Sequence, residues 1–193
     1  RHGRCTRKRQ ACMTPFSEPP SQLTRAEFMA RFGGIYEHNP WIAAAVFDAG
    51  QAGDTVEALA DAMRRVVEAA GEDAQRTLLR AHPDLAGRLA QAGNLTAESA
   101  AEQASAGLDQ CSPAEFEAFQ RLNAAYTSRF GFPFIIAVRG LTRQAILERF
   151  GERLGNSPAA EFREALDQVH RIARLRLHEI AQAREAPGSA IKP

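Results

Sequence analysis

The chain has 193 residues, 45% of them apolar and 24% charged, with a formal net charge of +1. That composition suits one globular domain that buries a core without disulfide staples, and no apolar run approaches the roughly 20 residues of a membrane span. Arg1, Arg4, Arg7, Lys8 and Arg9 fall in the first ten residues; taking those five from the total leaves about −4 elsewhere, which excludes the basic footprint of a nucleic-acid binder.

Residues 1–21 read as a leader, basic and then rich in Pro and Ser, and are expected to be disordered. An ordered domain is expected over 22–184, with a frayed tail over 185–193. Thr24 and Glu27 form a capping box, and Phe28, Phe32 and Ile35 share the face behind it. In "EHNPWIAAAVF" Asn39 and Pro40 predict the next helix start. Asp54 and Glu57 open another, striped by Val56, Leu59, Met63, Val66 and Val67. "AQRTLLRAH" continues the pattern. A short helix is expected after Pro83, ending near "QAGN". "LTAESAAEQASAGL" places acids on its first turns, as a helix N-terminus favours. Ser112, Pro113 and Glu115 give the clearest start in the chain, followed by Phe116, Phe119, Leu122, Asn123, Tyr126 and Phe130 on one face. "GFPFIIAVRG" breaks the helical period, "TRQAILERFGERL" resumes it, and a long helix from "SPAAEF" ends the fold. A lone strand has nothing to pair with. The expected architecture is therefore all-α, a single-domain bundle of seven to nine helices with one extended or irregular segment near 131–140.

Three stretches could carry chemistry. In "RAHPDLAG", Pro83 restricts His82 to extended conformations, so His82 cannot continue the preceding helix and stands at a junction with a fixed imidazole. It is either a simple junction residue or a catalytic group. Ser99, Glu102 and Gln103 lie three and four apart and share a helix face, either as a site or as a solvated polar stripe. The segment from Phe134 to Val138 either lines a cavity with its backbone groups or is buried core. Among the other histidines, His38, His170 and His178 suit solvated or capping roles. The cysteines, Cys5, Cys12 and Cys111, are odd in number and form no CxxC, which fits a reducing, cytoplasmic setting. No metal, nucleotide or nucleophile-elbow motif occurs.

Taken in order, "YEHNPWIA", "AHPDLAG", "ESAAEQASAGL", "FGFPFIIAVRG", "ERLGN" and "LDQVHRIARLRL" resemble the OHCU decarboxylase family (2-oxo-4-hydroxy-4-carboxy-5-ureidoimidazoline decarboxylase) from about Leu23 to about Ile180. The resemblance implies an all-α carboxy-lyase of urate degradation, forming (S)-allantoin without metal or organic cofactor. It also implies a homodimer with a functional link to urate oxidase and hydroxyisourate hydrolase, while the charge balance and the lack of a long apolar run lead to the expectation of neither nucleic-acid nor membrane partners. It carries the catalytic role onto His82. It carries substrate contacts onto Pro83, onto Ser99, Ala100, Ala101, Glu102 and Gln103, and onto Phe134, Ile135, Ile136, Ala137 and Val138. Arg153 of "ERLGN" is placed near the substrate. The chemistry requires an oriented carboxylate, a stabilised oxyanion and a proton delivered to one face. On this reading His82 donates the proton and Glu102 positions it, a nearby carboxylate raising the imidazole pKa. A hydrolase of a related ureide and a non-catalytic helical adaptor are the alternatives.

Overall fold

The computed structural model describes residues 13–87 and 95–183. Among them are eight α-helices: α1 (Arg25–Phe32), α2 (Trp41–Asp48), α3 (Val56–Ala69), α4 (Glu72–Arg80), α5 (Ala97–Ser105), α6 (Pro113–Phe130), α7 (Arg143–Leu154) and α8 (Pro158–Ala183). There is no sheet among the described residues, only an isolated bridge between Pro15 and Thr55. The fold is all-α, as the periodicity predicts.

The start signals work as the sequence implies. Thr24 and Ser112 each accept from the N3 backbone, while Glu27 and Glu115 bond back, closing two capping boxes. Thr55, Thr96 and Thr142 cap α3, α5 and α7 with their hydroxyls. α6 ends at Gly131, whose φ of 77° is the left-handed conformation that only glycine adopts without strain.

α8 runs through the middle of the bundle against α3, α4 and α6. One aromatic group gathers Phe16, Phe28, Phe32 and Phe47 beneath α1 and α2. A second surrounds Tyr126 with Phe130, Phe132, Phe134 and Phe150. The second group fixes the extended segment from Phe132 to Val138, all seven of whose residues are buried.

Two expectations need correcting. Order starts before residue 22: Phe16 is buried, its N–H bonds to Asp54 O at 3.2 Å, and Val56 N–H bonds to Thr14 O at 2.9 Å. A buried phenylalanine stabilises enough to order this short arm, despite its Pro and Ser content. Residues 1–12 and the tail expected over 185–193 lie outside the described residues. The helix expected to begin at Pro83 is absent from 83–87, which form turns. Its expected end near "QAGN" falls outside the described residues.

Phe16→Ala should lower stability by about 3 kcal/mol in urea unfolding, within the usual range for a buried phenylalanine. A loss below about 0.5 kcal/mol, the scale of a surface substitution, would show that the arm is not part of the core.

Candidate active site

Five pieces of chain meet at one small pocket with ≈ 380 Å³ of empty space, its mouth included. The end of α4 supplies His82 and Pro83. The inner face of α5 supplies Ser99, Glu102 and Gln103. The extended segment contributes Phe134, Ile135, Ile136 and Val138. α8 contributes Ile172 and Arg176, and the loop before α2 contributes Glu37.

His82 follows the α4 C-cap, with its N–H on Leu79 O at 3.3 Å. Its Nδ1 lies 3.3 Å from Leu78 O. A carbonyl only accepts, so that contact places the proton on Nδ1 and leaves Nε2 with its lone pair. Burial holds the imidazole down to about 4, against the opposing pull of Glu37. His82 is therefore neutral at working pH. The expectation of a carboxylate-raised, standing imidazolium is not met, because desolvation outweighs the nearby charge.

The turn after Pro83 is built from its partners. Gln103 Oε1 accepts from Ala86 N at 3.0 Å, and Gln103 Nε2 reaches Asp84 O at 3.4 Å. Gln120 and Asn123 bond the carbonyls of Ala86 and Leu85, each at 3.0 Å. Ala86 has φ of 47°, an uncommon conformation for a residue with a side chain. A Cβ on Gly87 would come within 2.7 Å of Asp84 Cβ, so this glycine is required by space.

Arg176 is the charged centre. Its Nε and Nη2 engage Glu102 bidentately at 2.7 and 2.9 Å, Nη2 also lies 3.3 Å from Ser99 Oγ, and Nη1 reaches Ile35 O at 3.4 Å. Glu37 approaches the same Nη2 at 3.5 Å. Glu37 also accepts from Thr96 Oγ1 at 2.7 Å and makes a very short bond with Ser99 Oγ. Burial alone would raise the Glu37 pKa; those hydroxyls and the guanidinium outweigh it and keep the carboxylate ionised. Burial would likewise lower the Arg176 pKa, and Glu102 and Glu37 outweigh that.

The extended segment is held from behind. Arg153 Nη1 donates to Ile135 O at 2.7 Å, and Ala137 N–H donates to Gln168 Oε1 at 3.0 Å. Gln168, Ile172 and Arg176 follow one another at four-residue spacing, so one face of α8 positions both the segment and the charged centre. Among the described residues, the N–H groups of Ile136 and Val138 make no hydrogen bond.

A sequence model of the OHCU decarboxylase family matches residues 21–178. A Haloferax volcanii protein named 2-oxo-4-hydroxy-4-carboxy-5-ureidoimidazoline decarboxylase is 46% identical over 159 residues, 82% of this chain and 92% of that protein. The chain belongs to the OHCU decarboxylase family. The uric acid degradation bifunctional protein PucL of Bacillus subtilis is 38% identical over 163 residues, 83% of this chain but 31% of that protein. A crystal structure of (S)-allantoin synthase superposes with a TM-score of 0.66 at 35% identity, over 83% of this chain and 52% of that one. This chain thus spans about half of that synthase.

Against this family assignment, the residues singled out from sequence divide. His82, Pro83, Ser99, Glu102, Gln103, Phe134, Ile135, Ile136 and Val138 converge on the pocket. Ala100 and Ala101 are exposed on the other side of α5, and Ala137 turns away from the pocket. Arg153 does not line it. Its fork is occupied by the fully buried Glu161, with Nε at 2.8 Å, and lies 4.5 Å from the Phe134 ring centre. A buried carboxylate needs a cation, and Arg153 meets that need. Glu102 makes no hydrogen bond to His82; its carboxylate is on Arg176. Sequence reasoning missed Glu37 and Arg176, although both lie in stretches that carry the family resemblance.

The neutral His82 predicts that its ring protons titrate below pH 6 in the ligand-free protein by NMR, assigned by comparison with His82→Asn. In the unfolded chain this histidine binds its proton near the ordinary value, so its contribution to stability is lost as pH falls from that value toward about 4. A midpoint at or above the ordinary histidine value would contradict the tautomer and burial argument.

Proposed function

We propose that the pocket decarboxylates 2-oxo-4-hydroxy-4-carboxy-5-ureidoimidazoline to (S)-allantoin in urate degradation, with His82 moving the proton and Arg176 receiving the carboxylate. The observation that carries this reading is the convergence on a single pocket of His82, the Arg176–Glu102 pair, and Ile136 and Val138, whose N–H groups make no hydrogen bond among the described residues.

The substrate bears a hydroxyl and a carboxylate on one ring carbon, beside a ring C=N that carries the ureido group. The planar fork of Arg176 can bond one oxygen of each substituent. It then keeps contact with the negative charge as the charge leaves the carboxylate, so the guanidinium does not favour the ground state alone. The C–CO2 bond breaks and its electron pair moves into the ring C=N, whose nitrogen takes a proton from the medium. The hydroxyl-bearing carbon then becomes a carbonyl. Nε2 of His82 takes the hydroxyl proton and, as imidazolium, gives it to the ureido-bearing carbon. Delivery from the one face that His82 occupies sets the configuration. Glu102, once off Arg176, accepts from the ring N–H beside the hydroxyl-bearing carbon, and the N–H groups of Ile136 and Val138 bond the ring and ureido oxygens. On this reading His82 accepts before it donates, and Glu102 acts on the substrate.

The proposal includes a cytoplasmic homodimer, on the strength of the family resemblance and the cysteine usage. Among the described residues no helix is long and apolar enough to cross a membrane.

His82→Asn should reduce the enzymatic formation of optically active allantoin by at least about 100-fold, the usual scale for losing a general acid–base group. Circular dichroism on freshly generated substrate, with the spontaneous rate subtracted, reads both rate and chirality. Unchanged rate and chirality would remove His82 from the mechanism. Uptake of water without CO2 release would favour the ureide hydrolase.

A further inference from the structure

Two carboxylates share the Arg176 guanidinium, and they are anchored very differently. The side chain of Glu37 is 2% exposed and that of Glu102 21% exposed. Glu37 is tied by Thr96 and Ser99, both on or capping α5. Its own loop is clamped as well. Asn39 Nδ2 donates to Glu37 O at 2.7 Å, Tyr36 Oη meets His170 Nδ1 at 2.8 Å, and Arg176 bonds Ile35 O. His38, immediately after Glu37, is held at φ of 57°, a conformation that costs energy in a residue with a side chain. Glu102, by contrast, has no hydrogen bond to its carboxylate among the described residues except from Arg176.

Counting the facing groups, Arg176 contributes one positive charge, Glu37 and Glu102 one negative charge each, and neutral His82 none. The ligand-free pocket is therefore net negative. An anionic substrate enters such a pocket only by taking the place of a carboxylate on the guanidinium. The anchoring decides which carboxylate leaves. Moving Glu37 would break two hydroxyl bonds in a buried site, whereas moving Glu102 breaks only its bonds to Arg176.

We propose that Glu37 is a positioning residue, the permanent counter-ion that holds Arg176 and Ser99 in place while Glu102 and the substrate carboxylate exchange on the guanidinium. The inference rests on the decarboxylase reading of this pocket. Without Glu37, Arg176 has Glu102 as its sole counter-ion. The internal pair tightens, and substrate competes against it less well.

The test is a steady-state comparison of the wild-type enzyme with Glu37→Gln and Glu37→Asp on freshly generated substrate. Aspartate keeps the charge but draws the carboxylate back by one methylene, out of simultaneous reach of Thr96, Ser99 and Arg176. Both variants should raise KM by about tenfold, with kcat changing by less than about threefold. A merely structural role would reduce the folded fraction, lowering apparent kcat while leaving KM alone. A purely electrostatic role would lower KM in Glu37→Gln, because removing a negative charge favours an anion. An unchanged or lowered KM in either variant overturns the proposal. If Glu37→Gln fails to fold, the KM of Glu37→Asp decides. Wild-type protein that fails to accelerate allantoin formation would instead overturn the decarboxylase reading itself, which separates the two failures.

Discussion

A guanidinium buried as deeply as Arg176 stays in place only if carboxylates face it, and much of this molecule is arranged to supply them. α8 brings the arginine to the pocket, the clamped loop before α2 brings Glu37, and the inner face of α5 brings Glu102 and Ser99. Three separate parts of the chain are thereby fixed to one planar group. The arrangement is stable without ligand and is also primed to bind an anion, since one of its two carboxylates is weakly held. This economy of charge explains how a pocket with two acids can accept an acidic substrate.

A second constraint operates on the opposite wall. The extended segment forms no sheet, so its backbone must find partners elsewhere. Arg153 and Gln168 take Ile135 O and Ala137 N–H, and the rings around Tyr126 pack its side chains. Those anchors leave the Ile136 and Val138 N–H groups directed at nothing else in the described protein. Arg153 thus serves the site at one remove, through Ile135, and its ion pair with Glu161 is a means of holding a wall.

Local signals are legible in the sequence because their physics is local. Capping boxes at Thr24 and Ser112, helix faces such as Phe28 with Phe32, and the break at Gly131 depend on neighbours within a few residues. Ser99, Glu102 and Gln103 could be placed on one face for the same reason. The partners of those groups depend on tertiary contacts and were not legible. Gln103 carries an amide suited to a ureide, yet both its ends hold the turn at Asp84–Ala86. That turn, fixed further by Gln120 and Asn123, occupies residues 83–87. Glu37 and Arg176 are far apart along the chain, and neither stands out from the many surface acids and arginines around it. The one sequence clue was their presence in stretches that resemble the family without any role assigned. The protonation of His82 is set mainly by burial, which adjacent residues do not reveal.

The exchange of carboxylates on Arg176 is most directly tested by a crystal structure with 2-oxoimidazolidine-4-carboxylate at saturating concentration. This unreactive ring carboxylate lacks the hydroxyl and ureido groups. The account predicts its carboxylate within hydrogen-bond distance of the Arg176 fork, Glu102 turned off the guanidinium, and Glu37 still bonded to Thr96 and Ser99. A complex in which Glu102 keeps both bonds to Arg176 while the ligand carboxylate binds elsewhere would contradict it.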